Sequence, residues 1–113
     1  MTIIFDKDKC EHLDECISLL EDMVEGRVSY IEGADAMIRW FESQGLSIFD
    51  SKDFYMFLLI QSETDALPRH AQRKFWSEQA LKDLEGKITE SEDWAKQFAE
   101  ADCRNLLRRL TAT

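Results

Sequence analysis

The sequence predicts an all-α fold: a single-domain antiparallel helical bundle of about four main helices, closed by a long C-terminal helix. Two observations lead there. The 113 residues include only four Gly and one Pro, too few to punctuate the many tight turns of a sandwich or barrel. Apolar residues also recur at steps of three and four along most of the chain, the spacing that lines one face of a helix. A hydrophobic content of 44%, with three Trp and seven Phe, is enough to close a core and argues against disorder. One domain spanning 1–113 is the expectation.

Residues 8–25 form the first expected helix. Cys10, Leu13, Ile17, Leu20 and Val24 make its apolar stripe, widened by Cys16, Leu19 and Met23, with Asp6 or Asp8 available as cap and Gly26 as terminator. At 100° per residue the apolar side chains fill one half of the wheel. Glu11, Asp14, Glu15, Glu21, Asp22 and Glu25 fill the other. A second helix starts at Ser29, with Glu32 placed as a capping-box partner, and runs to Gln44 before Gly45. Tyr30, Ile31, Ala34, Met37, Ile38 and Phe41 are its buried stripe, and Trp40 falls off that stripe, placed to cover a neighbour.

Asp50 or Ser51 opens a third segment, Lys52 to about Ser62, whose run from Phe54 to Ile60 is apolar throughout. Such a run suits a helix buried on all sides or a buried strand, but no other segment offers a strand to pair with it, which decides for helix. Residues 62–76, with Pro68, read as an irregular connection containing a short helical turn. Ser77 caps the last helix, whose stripe of Leu81, Leu84, Ile88, Ala95, Phe98, Ala99, Leu106 and Leu110 carries it to about Arg109. Gly86 and the pattern Thr89-x-x-Glu92 can break that helix in two, yet the continuous stripe favours one helix.

The formal charge is −9, and it is unevenly spread: residues 1–65 hold 15 acids and 5 bases, residues 66–113 hold 8 acids and 9 bases. Such a chain repels phosphate backbones and anionic lipid and favours encounter with a basic surface. Nucleic acid is therefore not an expected ligand. The longest apolar run is far too short for a bilayer, and no signal peptide is recognisable, so no membrane association is expected. Three cysteines, Cys10, Cys16 and Cys103, cannot all pair within one chain and sit among apolar helical neighbours, which suits a reducing cytoplasm.

Sites for chemistry are sparse. Asp6-x-Asp8-x-Cys10 opens like a calcium loop, but Cys10, Glu11 and Ile17 stand where an EF-hand needs Asp or Asn, Gly and Glu. His12 and Cys16 are spaced to share a zinc ion but lack companion ligands, so packing is the simpler account. All four glycines are isolated, so no phosphate loop exists. No metal or cofactor is expected. His70 lies near Glu63, Asp65, Arg69 and Arg73; these can build an acid–base cluster, but more often such residues form an ionic lock that holds a long connection to the bundle. Arg104, Arg108 and Arg109 form a basic end that suits the last helix's dipole.

The acidic half of the first helix is the strongest functional signal. The last helix alternates signs, with Glu78–Lys82, Asp83–Lys87, Glu92–Lys96 and Glu100–Arg104 at i,i+4. On the first helix Glu11–Glu15 and Glu21–Glu25 at i,i+4, and Glu11–Asp14 and Asp22–Glu25 at i,i+3, are all like-charged. At about 0.2–0.5 kcal/mol each, these pairs weaken their own helix, a penalty that a cationic partner removes. In size, acidity and helix order the chain resembles small acidic all-helical bacterial immunity proteins of contact-dependent inhibition or bacteriocin systems. The resemblance lies in the pattern of the whole chain, and no residue role is carried over from it. It implies a cytoplasmic, non-catalytic inhibitor, monomeric when free, whose partner is a toxin nuclease domain with a basic cleft. The partner-binding set is then Glu11, Asp14, Glu15, Glu21, Asp22 and Glu25, with Glu32 and Asp35 at the rim. Two alternatives stand beside it: a self-associating structural or regulatory module anchored by Trp40 or Trp94, and a small enzyme using His70 with Glu63 or Asp65.

Overall fold

The structure, a computed structural model, describes residues 11–46 and 51–112. Asp6, Asp8, Cys10 and Asp50, which carry the expected first cap, the calcium-loop rhythm and one expected start of the third segment, lie outside the described residues. Four α-helices follow in order: α1 (Leu13–Val24), α2 (Tyr30–Ser43), α3 (Tyr55–Glu63) and α4 (Glu78–Thr111), with a 3₁₀ helix (His70–Phe75) between α3 and α4. The described residues contain no β-strand element. The all-α bundle with a long last helix is thus the observed fold.

α1 is shorter than its apolar pattern suggests, because His12 is its N-cap and stands in the left-handed region at φ 57°. That conformation is uncommon outside glycine. Tethers hold it: the Trp40 indole N–H donates to the His12 carbonyl at 3.1 Å, and the Glu11 N–H donates to Gln44 Oε1 at 2.8 Å. The start of α1 is thereby fixed to the end of α2. Where α1 packs on α2, Gly33 permits the approach; a Cβ there would lie only 2.5 Å from the Met23 sulfur.

α2 follows its sequence signals closely. The Ser29 hydroxyl accepts the Glu32 N–H at 3.1 Å, and the helix ends at Gln44 with Gly45 at φ 76°. Trp40 is buried and stacks on Phe54, 6.1 Å between ring centres, and Phe54 in turn stacks on Phe41 at 4.5 Å and meets Phe57 edge-on at 5.7 Å. Aromatic pairs in these geometries add to simple area burial. Ser51 supplies the turn before α3, its hydroxyl accepting the Phe54 N–H at 3.0 Å. The run 54–60 is not buried on all sides, however. Phe54, Phe57 and Ile60 face the core, whereas Tyr55 and Leu59 are exposed, because α3 lies on the outside of the bundle and only one side of it meets α2.

Gly86 does not interrupt α4, which is one helix of 34 residues, about 51 Å at 1.5 Å per residue. That length sets the 48 Å long axis of a molecule only 25 × 23 Å across. Only its second half reaches the core. Ala95, Ala99, Cys103, Leu106 and Leu110 are buried against α1 and α2, while Leu81, Leu84 and Ile88 are half-buried and stand apart from the core cluster.

Candidate protein-binding face

α1 buries Cys16, Leu20 and Met23 and turns the opposite side to solvent. Asp14, Ser18, Glu21 and Glu25 follow one another along that outer side at three- and four-residue steps, all exposed, with Glu11 and Glu15 beside them. Among the described residues, no cation comes within ion-pair distance of Glu11, Asp14, Glu15 or Glu21. Three carboxylates of α1, with Glu11 just before it, thus gather on one exposed side with no counter-charge among the described residues.

The self-repulsion expected from the sequence is largely relieved within the chain. Glu11 precedes the helix, so its spacing to Asp14 and Glu15 is not a helical one. Asp14 and Glu15 occupy the first turn, where the positive end of the helix dipole favours them. At the other end Arg27 bonds Asp22 at 2.8 Å and also meets Glu25, which places a cation beside the negative end of α1. These two carboxylates hold the Arg27 guanidinium pKa above its ordinary value. Asp22 and Glu25 consequently serve the α1–α2 turn as well as the acidic side.

The two rim residues belong to a different part of the structure. Asp35 is largely buried and bonds the Arg69 guanidinium at 2.6 Å, while its other oxygen accepts from Gln61 Nε2 at 3.1 Å. Glu32 accepts the backbone N–H of His70 at 2.7 Å. Both carboxylates therefore help dock the 62–76 connection onto α2. Sequence spacing could not reveal this, because their partners stand 34 and 38 residues away. Arg69 completes the lock by donating to the carbonyls of Thr64 and Leu67 and to the Thr64 hydroxyl. The lock expected in this connection exists, then, with Asp35 as its acid.

His70 is exposed, and its Nδ1 lies 3.3 Å from Arg73 Nη1. Among the described residues no hydrogen bond joins it to Glu63 or Asp65, which are themselves exposed. Cys16 is fully buried whereas His12 is exposed, and no group of three metal-ligating side chains occurs among the described residues. Of the two Trp expected as self-association anchors, Trp40 is buried, whereas Trp94 is exposed and stacked on Phe98 at 5.2 Å. Of the expected ion pairs on α4 only Glu100–Arg104 forms, and Lys96 turns to Glu100 instead of Glu92. At the basic end Arg109 bonds Asp53 at 2.7 Å, so it ties α4 to the start of α3.

No protein-family model, curated protein or solved structure matches the chain. None of the described helices is long and apolar enough to cross a membrane.

Proposed function

We propose that this chain is a binding protein that neutralises a cationic protein partner, most concretely an immunity protein inhibiting a bacterial nuclease toxin domain. The observation that carries the reading is the outer side of α1 and the residue just before it, where Glu11, Asp14, Glu15 and Glu21 are exposed with no ion-pair cation among the described residues. Nuclease clefts are basic because they bind phosphate. A row of fixed carboxylates on a rigid helix offers such a cleft counter-charges in place of its substrate, and the long-range field speeds encounter. The binding set narrows to those four residues, with Asp22 and Glu25 contributing charge while they hold Arg27.

The test is affinity capture from native cytosol and from cell-surface and secreted fractions, with the wild-type chain and the neutral variant Asp14→Asn/Glu15→Gln/Glu21→Gln run in parallel. A basic nuclease retained by the wild type at low salt, released at high salt and not retained by the variant is the expected outcome. Failure to retain any basic protein, or retention indifferent to both salt and the three substitutions, would overturn the proposal.

A further inference from the structure

The amino-terminal half of α4 lies apart from the core. Its apolar residues Leu81, Leu84 and Ile88 stay half-buried, and beside Leu81 and Ile88 the 3₁₀ helix borders a groove of about 580 Å³ whose lining includes Arg73, Leu81, Lys82, Glu85, Ile88 and Glu92. Beside it Phe75 is 81% exposed and Trp76 40% exposed. A half-covered apolar strip with open aromatics at one end is the composition of an interface, not of an ordinary helix surface.

Charge identifies the occupant. Of the charged residues that line the groove, the cations Arg73 and Lys82 stand with one acid, Glu78, toward the start of α4, and the acids Glu85 and Glu92 stand without a cation toward its middle. Among the described residues Lys82, Glu85 and Glu92 have no ion-pair partner. A strip that is positive at one end and negative at the other is complementary to itself when reversed. An antiparallel pairing about a two-fold axis lays each positive end on the other copy's negative end and covers both apolar strips at once.

We infer that two copies of this chain associate antiparallel through the amino-terminal halves of their α4 helices, with Leu81 and Ile88 at the centre and Lys82 facing Glu85 across the axis. This surface is separate from the exposed carboxylates Asp14, Glu15 and Glu21 of α1, and the monomeric free chain expected from the sequence is the alternative that the experiment decides for or against.

Sedimentation of the full chain over micromolar to millimolar concentrations tests the inference, with far-UV circular dichroism confirming that each variant is folded. The wild type should dimerise and Leu81→Glu/Ile88→Glu should not. Lys82→Glu and Glu85→Lys should each weaken the dimer by about tenfold, since symmetry repeats every lost pair. The double reversal Lys82→Glu/Glu85→Lys should restore it, and Asp14→Asn/Glu15→Gln/Glu21→Gln should leave it unchanged. A chain still monomeric at millimolar concentration would overturn the inference, as would a dimer that survives Leu81→Glu/Ile88→Glu or a double reversal that fails to recover.

Discussion

The Tyr30 hydroxyl is buried beside Cys103 and Glu100 and has no hydrogen-bond partner among the described residues. Burial, reinforced by Cys103 and Glu100, pushes its pKa up to about 12, and burial chiefly pushes the Cys103 thiol up to about 12 as well. Both are acids whose folded pKa lies above the unfolded value, near 9 for the thiol and near 10 for the phenol. Their contributions are complete below those values and are lost as pH rises from there through the folded pKa, at up to about 1.4 kcal/mol per pH unit for each group. Chemical denaturation across the alkaline range should show stability falling from about pH 9. Tyr30→Phe should remove the phenol's share of that fall. At neutral pH it should also raise stability by about 1 kcal/mol, because an unsatisfied buried hydroxyl is removed while the ring is kept.

At the scale of elements, α4 is continuous through Gly86 because each half is held by something other than its own propensity. The second half packs on the bundle, and Ser77 caps the start, accepting the Ala80 N–H at 3.1 Å. Gly86 is exposed, with nothing within 4 Å of where a Cβ would stand. Gly86→Ala should therefore stabilise the protein by about 1 kcal/mol, the difference in helix propensity, read as a rise in thermal midpoint. α3 offers the converse lesson. The apolar run from Phe54 through Ile60 lacks the periodicity that tells inside from outside, so the helix was legible in sequence while its exposed side, Tyr55 and Leu59, was not.

At the scale of the whole molecule, the pair Asp35–Arg69 ties the 62–76 connection, and with it the 3₁₀ helix that flanks the projecting half of α4, to α2. Both side chains are nearly buried, 13% and 14% exposed, and Arg69 spends its remaining donors on Thr64 and Leu67. Removing one member leaves the other charge without its counter-charge, a loss of about 3 kcal/mol. Arg69→Gln should show that loss in denaturant unfolding, with amide exchange accelerating first over 64–76. If exchange there stays as slow as in the core, the connection is held by something other than this pair.

Composition and periodicity determine the helices of this protein, their order and the inward faces of α1 and α2, since these rest on local spacing: Ser29, Gly45 and Ser77 act within a few residues of where they stand, and α1's apolar half could turn only inward. The same locality made the acidic side of α1 legible. Which carboxylates remain free was decided only in three dimensions. Asp35 and Glu32 look like Glu11 and Glu15 in sequence, yet they are taken by groups more than thirty residues away, and Arg27 relieves the end of α1 by folding back on it. The break in burial along α4 was likewise invisible, because Leu81 and Leu106 belong to one stripe. Only the tertiary structure, in which the partner helices end before α4 does, leaves the first half-covered and the second in the core.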